Sequence, residues 1–151
     1  MIRELDGADA AHAFVAMAEL RRLADLKSFL ERVAVQQREG YRLVGSFEEG
    51  DHDAAGVAGF RSGHFLAWGH VIYVDDLSTR AKYRGKGHGG ALMDWLIAEA
   101  KRLGCDQLHL DSGVGPDREN AHRLYMNKGM RISAHHFQID LRAKEVIRGT
   151  T

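Results

Sequence analysis

Tyr83-Arg84-Gly85-Lys86-Gly87-His88-Gly89-Gly90 is the stretch on which the reading of this chain turns. It follows a β-rich run over residues 69–79 and opens an amphipathic helix over residues 91–103. That helix has an apolar stripe of Ala91, Leu92, Trp95, Leu96 and Leu103, and Gly104 stops it. Glycines in such a loop let the backbone turn tightly and let a ligand approach without meeting a Cβ. The first amides of a helix have no internal partner, and the helix dipole favours negative charge at that end. A phosphate or pyrophosphate is the guest this loop suits. Arg80, Lys82, Arg84 and Lys86 add cationic side chains around the same spot.

Two phosphate loops do not fit. A Walker loop needs a lysine followed by Ser or Thr, and neither Lys82 nor Lys86 has one. The string Gly85-Lys86-Gly87-His88-Gly89-Gly90 matches Gly-x-Gly-x-x-Gly literally. It falls late in the chain, however, after hairpins rather than in the first unit of a doubly wound sheet.

Working outward, residues 2–5 read as a short strand. Residues 9–39 hold no Gly or Pro and read as two helices, with Leu23, Leu26, Leu30 and Val33 on one face and Gly40 as the stop. Residues 41–47 and 57–65 read as a hairpin with an acidic tip over 48–53. The third strand, 69–79, carries adjacent aspartates, Asp75 and Asp76. On a regular strand they face opposite ways unless a bulge intervenes. Beyond the glycine loop and its helix come a strand over 107–111, a helix over 117–128 between Pro116 and Gly129, and a last, partly alternating strand over 131–141. The tail from Arg142 carries no pattern. A strand–helix–strand passage across residues 70–111 demands a parallel crossover among otherwise hairpin-linked strands. The expected architecture is α+β: one domain over 1–151, with a mixed, mostly antiparallel sheet flanked by helices.

Composition sets limits. The chain has 151 residues with 21 Lys plus Arg against 21 Asp plus Glu, so a strongly basic nucleic-acid binder is excluded as a whole-chain reading. No apolar run approaches the roughly 20 residues of a membrane helix, and the amino terminus lacks the apolar core of a signal peptide. One cysteine, Cys105, gives no internal disulfide and fits a reducing, cytoplasmic setting. The nine histidines show no ligand spacing, and the adjacent His135 and His136 face apart on a strand, so no metal is expected.

The residues resemble a family. Leu77-Ser78-Thr79 followed by Arg84-Gly85-Lys86-Gly87-His88-Gly89 looks like motif A of the GNAT superfamily of acyl-CoA-dependent N-acetyltransferases, Arg/Gln-x-x-Gly-x-Gly/Ala shortly after a strand. Asn120-Ala121-His122-Arg123-Leu124-Tyr125, with Lys128-Gly129-Met130 behind it, resembles the family's helix carrying an Asn and, five residues on, a Tyr. The order of elements is also similar, so the resemblance spans nearly the whole chain. It implies a strand pair splayed at an acetyl-CoA site and transfer of the acetyl group to a primary amine. The backbone around Leu77, Ser78 and Thr79 would pair with the pantetheine arm like an added strand. The segment Arg84 to Gly90 would hold the pyrophosphate, Asn120 would lie against the arm, and Tyr125 would protonate the leaving thiolate. A backbone N–H on Asp76-Leu77-Ser78 would stabilise the oxyanion. Asp75 and Asp76 are the candidates for the base, and Asp75 and Asp111 for binding the amine. Some family members carry a glutamate further upstream on this strand, where Tyr73 stands here. Acidic residues at 48–53, with Asp75, Asp76 and Asp111, suggest a cationic acceptor. Acetylation of a protein amino terminus or lysine, and a non-catalytic acyl-CoA-binding domain, are the other readings. Dimerisation follows from the resemblance alone.

Overall fold

A computed structural model describes residues 1–142 of the chain; residues 143–151 lie outside the description. Strand β1 (Ile2–Glu4) leads through a 3-10 turn into helices α1 (Phe14–Leu20) and α2 (Leu26–Arg38). Strands β2 (Arg42–Ser46), β3 (Gly56–Phe65) and β4 (Gly69–Thr79) follow. Then come α3 (His88–Arg102), β5 (Gln107–Leu110) and α4 (Glu119–Asn127). The five strands form one sheet in chain order, antiparallel from β1 to β4 and parallel between β4 and β5. This is the expected mixed α+β sheet.

Alternation along the strands assigns the two faces. Leu43 and Val57 face α1 and α2, where they bury with Leu5, Met17, Phe29 and Val33. Their neighbours Val44 and Ala58 face α3 and bury with Phe60, Ile72, Leu92 and Leu96. Helix α2 is started by a side-chain cap. The Asp25 carboxylate accepts the Ser28 amide at 2.8 Å at the head of α2.

The segment expected as a last strand is not one in this chain. Residues 131–142 form no strand and are exposed throughout. The alternation that suggested a strand is real, but β5, the edge it would extend, pairs only with β4 among the described residues.

Asp75 occupies a bulge. Gly59 pairs with Asp76 and the next residue, Phe60, pairs with Val74, so Asp75 is the extra residue of β4. The bulge turns both carboxylates toward α1 and α2, where Asp75 and Asp76 line one cavity. Opposite it, a Cβ on Gly59 would stand 1.7 Å from the Tyr41 hydroxyl. Gly59→Ala therefore displaces Tyr41 and destabilises the fold by about 1–3 kcal/mol. Urea denaturation measures this, and an unchanged midpoint would show that the strand absorbs the methyl group.

Candidate active site

Strand β4 loses its β5 neighbour after the Val74–Leu110 pair, yet it runs on to Thr79. The two strands part there. The Arg80 amide donates to the Ala55 carbonyl at 2.8 Å, on the β3 side. Backbone direction alternates along a strand, so Ser78 also faces β3, and Leu77 and Thr79 present their N–H and C=O groups to the open edge. The Ser78 hydroxyl is taken up by the fold: it is buried and donates to the Ala16 carbonyl at 2.8 Å.

The glycine loop stands at the end of this edge. Gly85 and Gly87 have φ of +79° and +89°, a region that L side chains avoid. Gly87 is the residue from which α3 starts, with no side-chain cap on the first amides. Gly89 is small for a different reason. A Cβ there would lie 3.2 Å from Leu124 of α4, whereas one on Gly90 would meet the same side chain at an ordinary contact distance of 3.9 Å. The His88 imidazole points into the protein, not toward a ligand. Its Nδ1 lies 2.7 Å from the Ser46 hydroxyl and its Nε2 2.9 Å from Glu48 Oε1.

The acidic hairpin tip proves to be the underside of this loop. Asp51 accepts from Arg80 at 2.9 Å and from the Tyr83 hydroxyl at 2.6 Å, with the Lys82 ammonium at 3.6 Å. The Tyr83 bond, the Asp53 amide and Arg80 hold its carboxyl well below the usual carboxylate range. Glu48 is likewise lowered, first by its bond to His88 and then by Lys86. Among the described residues, Arg84 is the loop cation without an ion pair, and it is exposed.

Two cavities meet beside β4. A larger one of about 360 Å³ lies between α1, α2 and the sheet, with Met17, Phe29 and Val33 as an apolar wall and Tyr73, Asp75 and Asp76 on the strand side. A smaller one of about 90 Å³ lies at the parting of β4 and β5, lined by Leu77, Leu110, Asp111, Arg118 and Tyr125. Arg21 and Asp75 line both.

The two aspartates of the larger cavity are each paired. Arg21 Nε donates to Asp76 at 2.8 Å, and its Nη2 donates to the Asp75 carbonyl at 3.0 Å. Arg61 grips both oxygens of Asp75, the shortest bond being 2.7 Å. The Tyr41 hydroxyl donates to Asp76 at 2.7 Å. Burial, and then the Asp76 charge, push the Tyr41 phenol far above the ordinary tyrosine range, so it is a fixed donor. Burial also raises Asp75, against the opposing pull of Arg61. Tyr125 is half-buried, and burial lifts its phenol above the ordinary value, so it carries its proton at neutral pH.

The structure thus gathers Asp75, Asp76, Leu77, Asp111 and Tyr125 around one cleft. Asn120 stands apart, exposed on the first turn of α4, its Oδ1 3.5 Å from Arg123. Asp111 is held by the Tyr73 hydroxyl. His109 of β5 stacks on Trp68 with centroids 3.9 Å apart. Sequence reasoning missed Arg21, Tyr41 and Arg61, which hold the aspartates. The signal for one of them was Gly59, whose lack of a side chain in a central strand marks a close approach.

Comparison with known proteins now bears on this geometry. The family model for the acetyltransferase (GNAT) family matches residues 15–130. An uncharacterized N-acetyltransferase of Bacillus subtilis strain 168, YhdJ, is 32% identical over 130 residues, covering 85% of this chain and 89% of that protein. Among solved structures, a ribosomal-protein-alanine N-acetyltransferase of Brucella melitensis biovar Abortus superposes with a TM-score of 0.77 at 21% identity, over 93% of this chain and 99% of that one. A glucosamine-6-phosphate N-acetyltransferase of Arabidopsis thaliana gives 0.75 at 19% identity, over 94% and 98%. At these identities the two structures speak for the fold alone.

Asp51 is what fixes the loop, so Asp51→Ala should free it. Amide exchange at residues 84–88 is expected to accelerate about tenfold or more, as local opening becomes easier. Unchanged protection would show that Glu48 and His88 suffice.

Proposed function

The chain belongs to the acetyltransferase (GNAT) family, and we propose that it transfers an acetyl group from acetyl-CoA to the primary amine of a small acceptor. The observation that carries this reading is the meeting of the two cavities at Asp75. One runs beside the open edge of β4 and Tyr125; the other is an amine-sized chamber with carboxylates on its strand side.

The donor fits residues of this chain. Leu77 and Thr79 would hydrogen-bond the amides of the pantetheine arm, and the uncapped amides at the start of α3 would take the pyrophosphate, with Arg84 free to add charge. The Leu77 N–H, aimed at the same edge, is the donor for the developing oxyanion. Asp75, shared by both cavities, accepts the proton of the incoming ammonium. As the C–N bond forms and the C–S bond breaks, Tyr125 gives its proton to the departing thiolate, and the second proton that the nitrogen sheds on becoming an amide restores the phenol. Asp76, already bonded to Arg21 and Tyr41, positions the strand and adds negative potential.

The acceptor reading narrows. Glu48 and Asp51 serve the glycine loop, so the case for a cationic acceptor rests on Asp75, Asp76 and Asp111. Arg21 and Asp75 already meet at the throat, and Arg32 lines the larger cavity without an ion pair among the described residues. An acceptor bearing an amine together with an anionic group and a short apolar body matches that lining. A chamber of about 360 Å³ falls within the ordinary range of small-molecule sites, roughly 300–1,000 Å³.

Calorimetric titration with acetyl-CoA, with ATP and NAD as controls, tests the donor; failure of acetyl-CoA to bind removes every role assigned here. In the enzyme reading, Tyr125→Phe lowers kcat roughly 10²-fold or more while acetyl-CoA affinity is nearly kept. Equal turnover would strip Tyr125 of its part.

The pH dependence has a definite sign. Asp75 works as a base only when ionised, and burial raises its pKa while Arg61 lowers it. The acid limb of kcat/KM therefore lies above the ordinary aspartate value of about 3.9. Arg61→Gln removes a lowering influence and moves that limb to higher pH. A limb that stays in place would exclude Asp75 as the base.

A further inference from the structure

His88 is the first residue of α3, yet its ring turns away from the cleft and is buried. With Ser46 of β2 and Glu48 of the hairpin it makes a serine–histidine–carboxylate chain, joined at 2.7 Å and 2.9 Å. Ser46 and His88 are only 3% and 8% exposed. The chain of groups is no nucleophilic triad, because Ser46 lines neither cavity. Its place, under the head of α3, points to a different use.

The three groups hold the ring equally well with or without a charge. Glu48 is ionised: the bond from His88, and then the Lys86 ammonium at 3.9 Å, lower its carboxyl below the ordinary value. A carboxylate only accepts, so Nε2 carries its proton in both states. Nδ1 is therefore the nitrogen that titrates. In the neutral ring it accepts from the Ser46 hydroxyl; in the cation it donates to the same oxygen. The hydroxyl turns, and neither contact breaks.

The surrounding field then decides the charge. Glu48 favours the cation. The Lys86 ammonium, the amino terminus of Met1 beside Phe47 and the positive end of α3 itself oppose it. Elsewhere the ring meets Gly56 of β3 and the phenol of Tyr83, whose ring lies 6.0 Å away, and behind Tyr83 the charge of Arg80 is already met by Asp51. An anion on the amides of α3 reverses this balance, because it cancels the helix dipole and the nearby ammonium together. We infer that His88 is a positioning residue for acetyl-CoA, taking a proton from solvent onto Nδ1 as the pyrophosphate settles on α3. The buried imidazolium then holds the anion from beneath, through the first turn of the helix. This rests on the acetyl-CoA reading of the glycine loop.

Calorimetry with dephospho-CoA tests it, since that probe keeps the pyrophosphate and lacks the titrating 3′-phosphate. Titrations at pH 7 in two non-phosphate buffers of different ionisation heat should report uptake of roughly half a proton per chain, the scale of a one-unit linkage on a histidine. The bound state holds more protons, so affinity should fall roughly five- to tenfold from pH 6 to pH 8. His88→Gln, whose amide still offers Glu48 a donor, should remove the uptake and flatten the profile. On the unaltered chain, nitrogen NMR of the histidine rings should show one ring passing from neutral to charged when acetyl-CoA is added, which keeps the test independent of how the variant folds. Binding with no proton uptake and no ring changing state overturns the inference and leaves the donor reading standing. An uptake that survives His88→Gln does the same. If neither acetyl-CoA nor dephospho-CoA binds, the donor reading itself fails and takes this inference with it.

Discussion

The bulge at Asp75 is the constraint from which the site follows. A regular β4 would send Asp75 and Asp76 to opposite faces, one into the core beneath α3. The extra residue turns both toward α1 and α2, but it brings two like charges onto adjacent residues beside an apolar wall. Two carboxylates so placed would repel each other and pay for lost hydration. The fold answers with Arg61 on one, Arg21 on the other and the Tyr41 phenol on the second. Tyr41 can reach Asp76 only because Gly59, directly across from it, has no side chain. Arg21, at the end of α1, ties that helix to the strand and so sets the width of the cavity. Bulge, glycine, tyrosine and two arginines are one device.

The same logic shapes the glycine loop. Four cations within a few residues repel one another and would splay a loop whose glycines offer little resistance. The hairpin between β2 and β3 supplies Glu48 and Asp51 as counter-charges, and His88 is wedged between Glu48 and Ser46. Helix α3 is thereby anchored at its first residue, with its free amides aimed outward. Chain neutrality, 21 against 21, is thus not a dilution of charge. Most of the carboxylates near the site are spent on orienting arginines and lysines.

Much of this was legible from residue order. Strands β1 to β5, the helices on either side of β5 and the crossover follow from period, though the strand expected over 131–141 does not form, and the glycine loop follows from its place between a strand and a helix. What escaped was anything requiring three dimensions. Glu48 and Asp51 read as an acidic tip suited to a cationic ligand, because their partners Lys86, His88 and Arg80 lie dozens of residues away. His88 and Gly89 read as ligand-facing, because a loop sequence does not tell which residue turns inward to Ser46 or makes room for Leu124. Adjacent aspartates can face one side of a strand only across a bulge, and β4 has that bulge at Asp75.

Residues 131–141 show where periodicity stops being informative. Alternation is a property of one strand: it says that alternate side chains want cover, and nothing about who provides it. The same alternation would serve on the chain's own sheet, on a neighbour's, or in a longer edge. Composition cannot distinguish these cases, because apolar contact is not directional. The distinction arises only from geometry, from an arm that passes Asp111 without pairing and an edge, β5, that ends the sheet with two leucines on its core face. Among the described residues that edge lies beside the smaller cavity, since Asp111 follows β5 and meets, through Tyr73, the strand that carries Asp75 and Asp76.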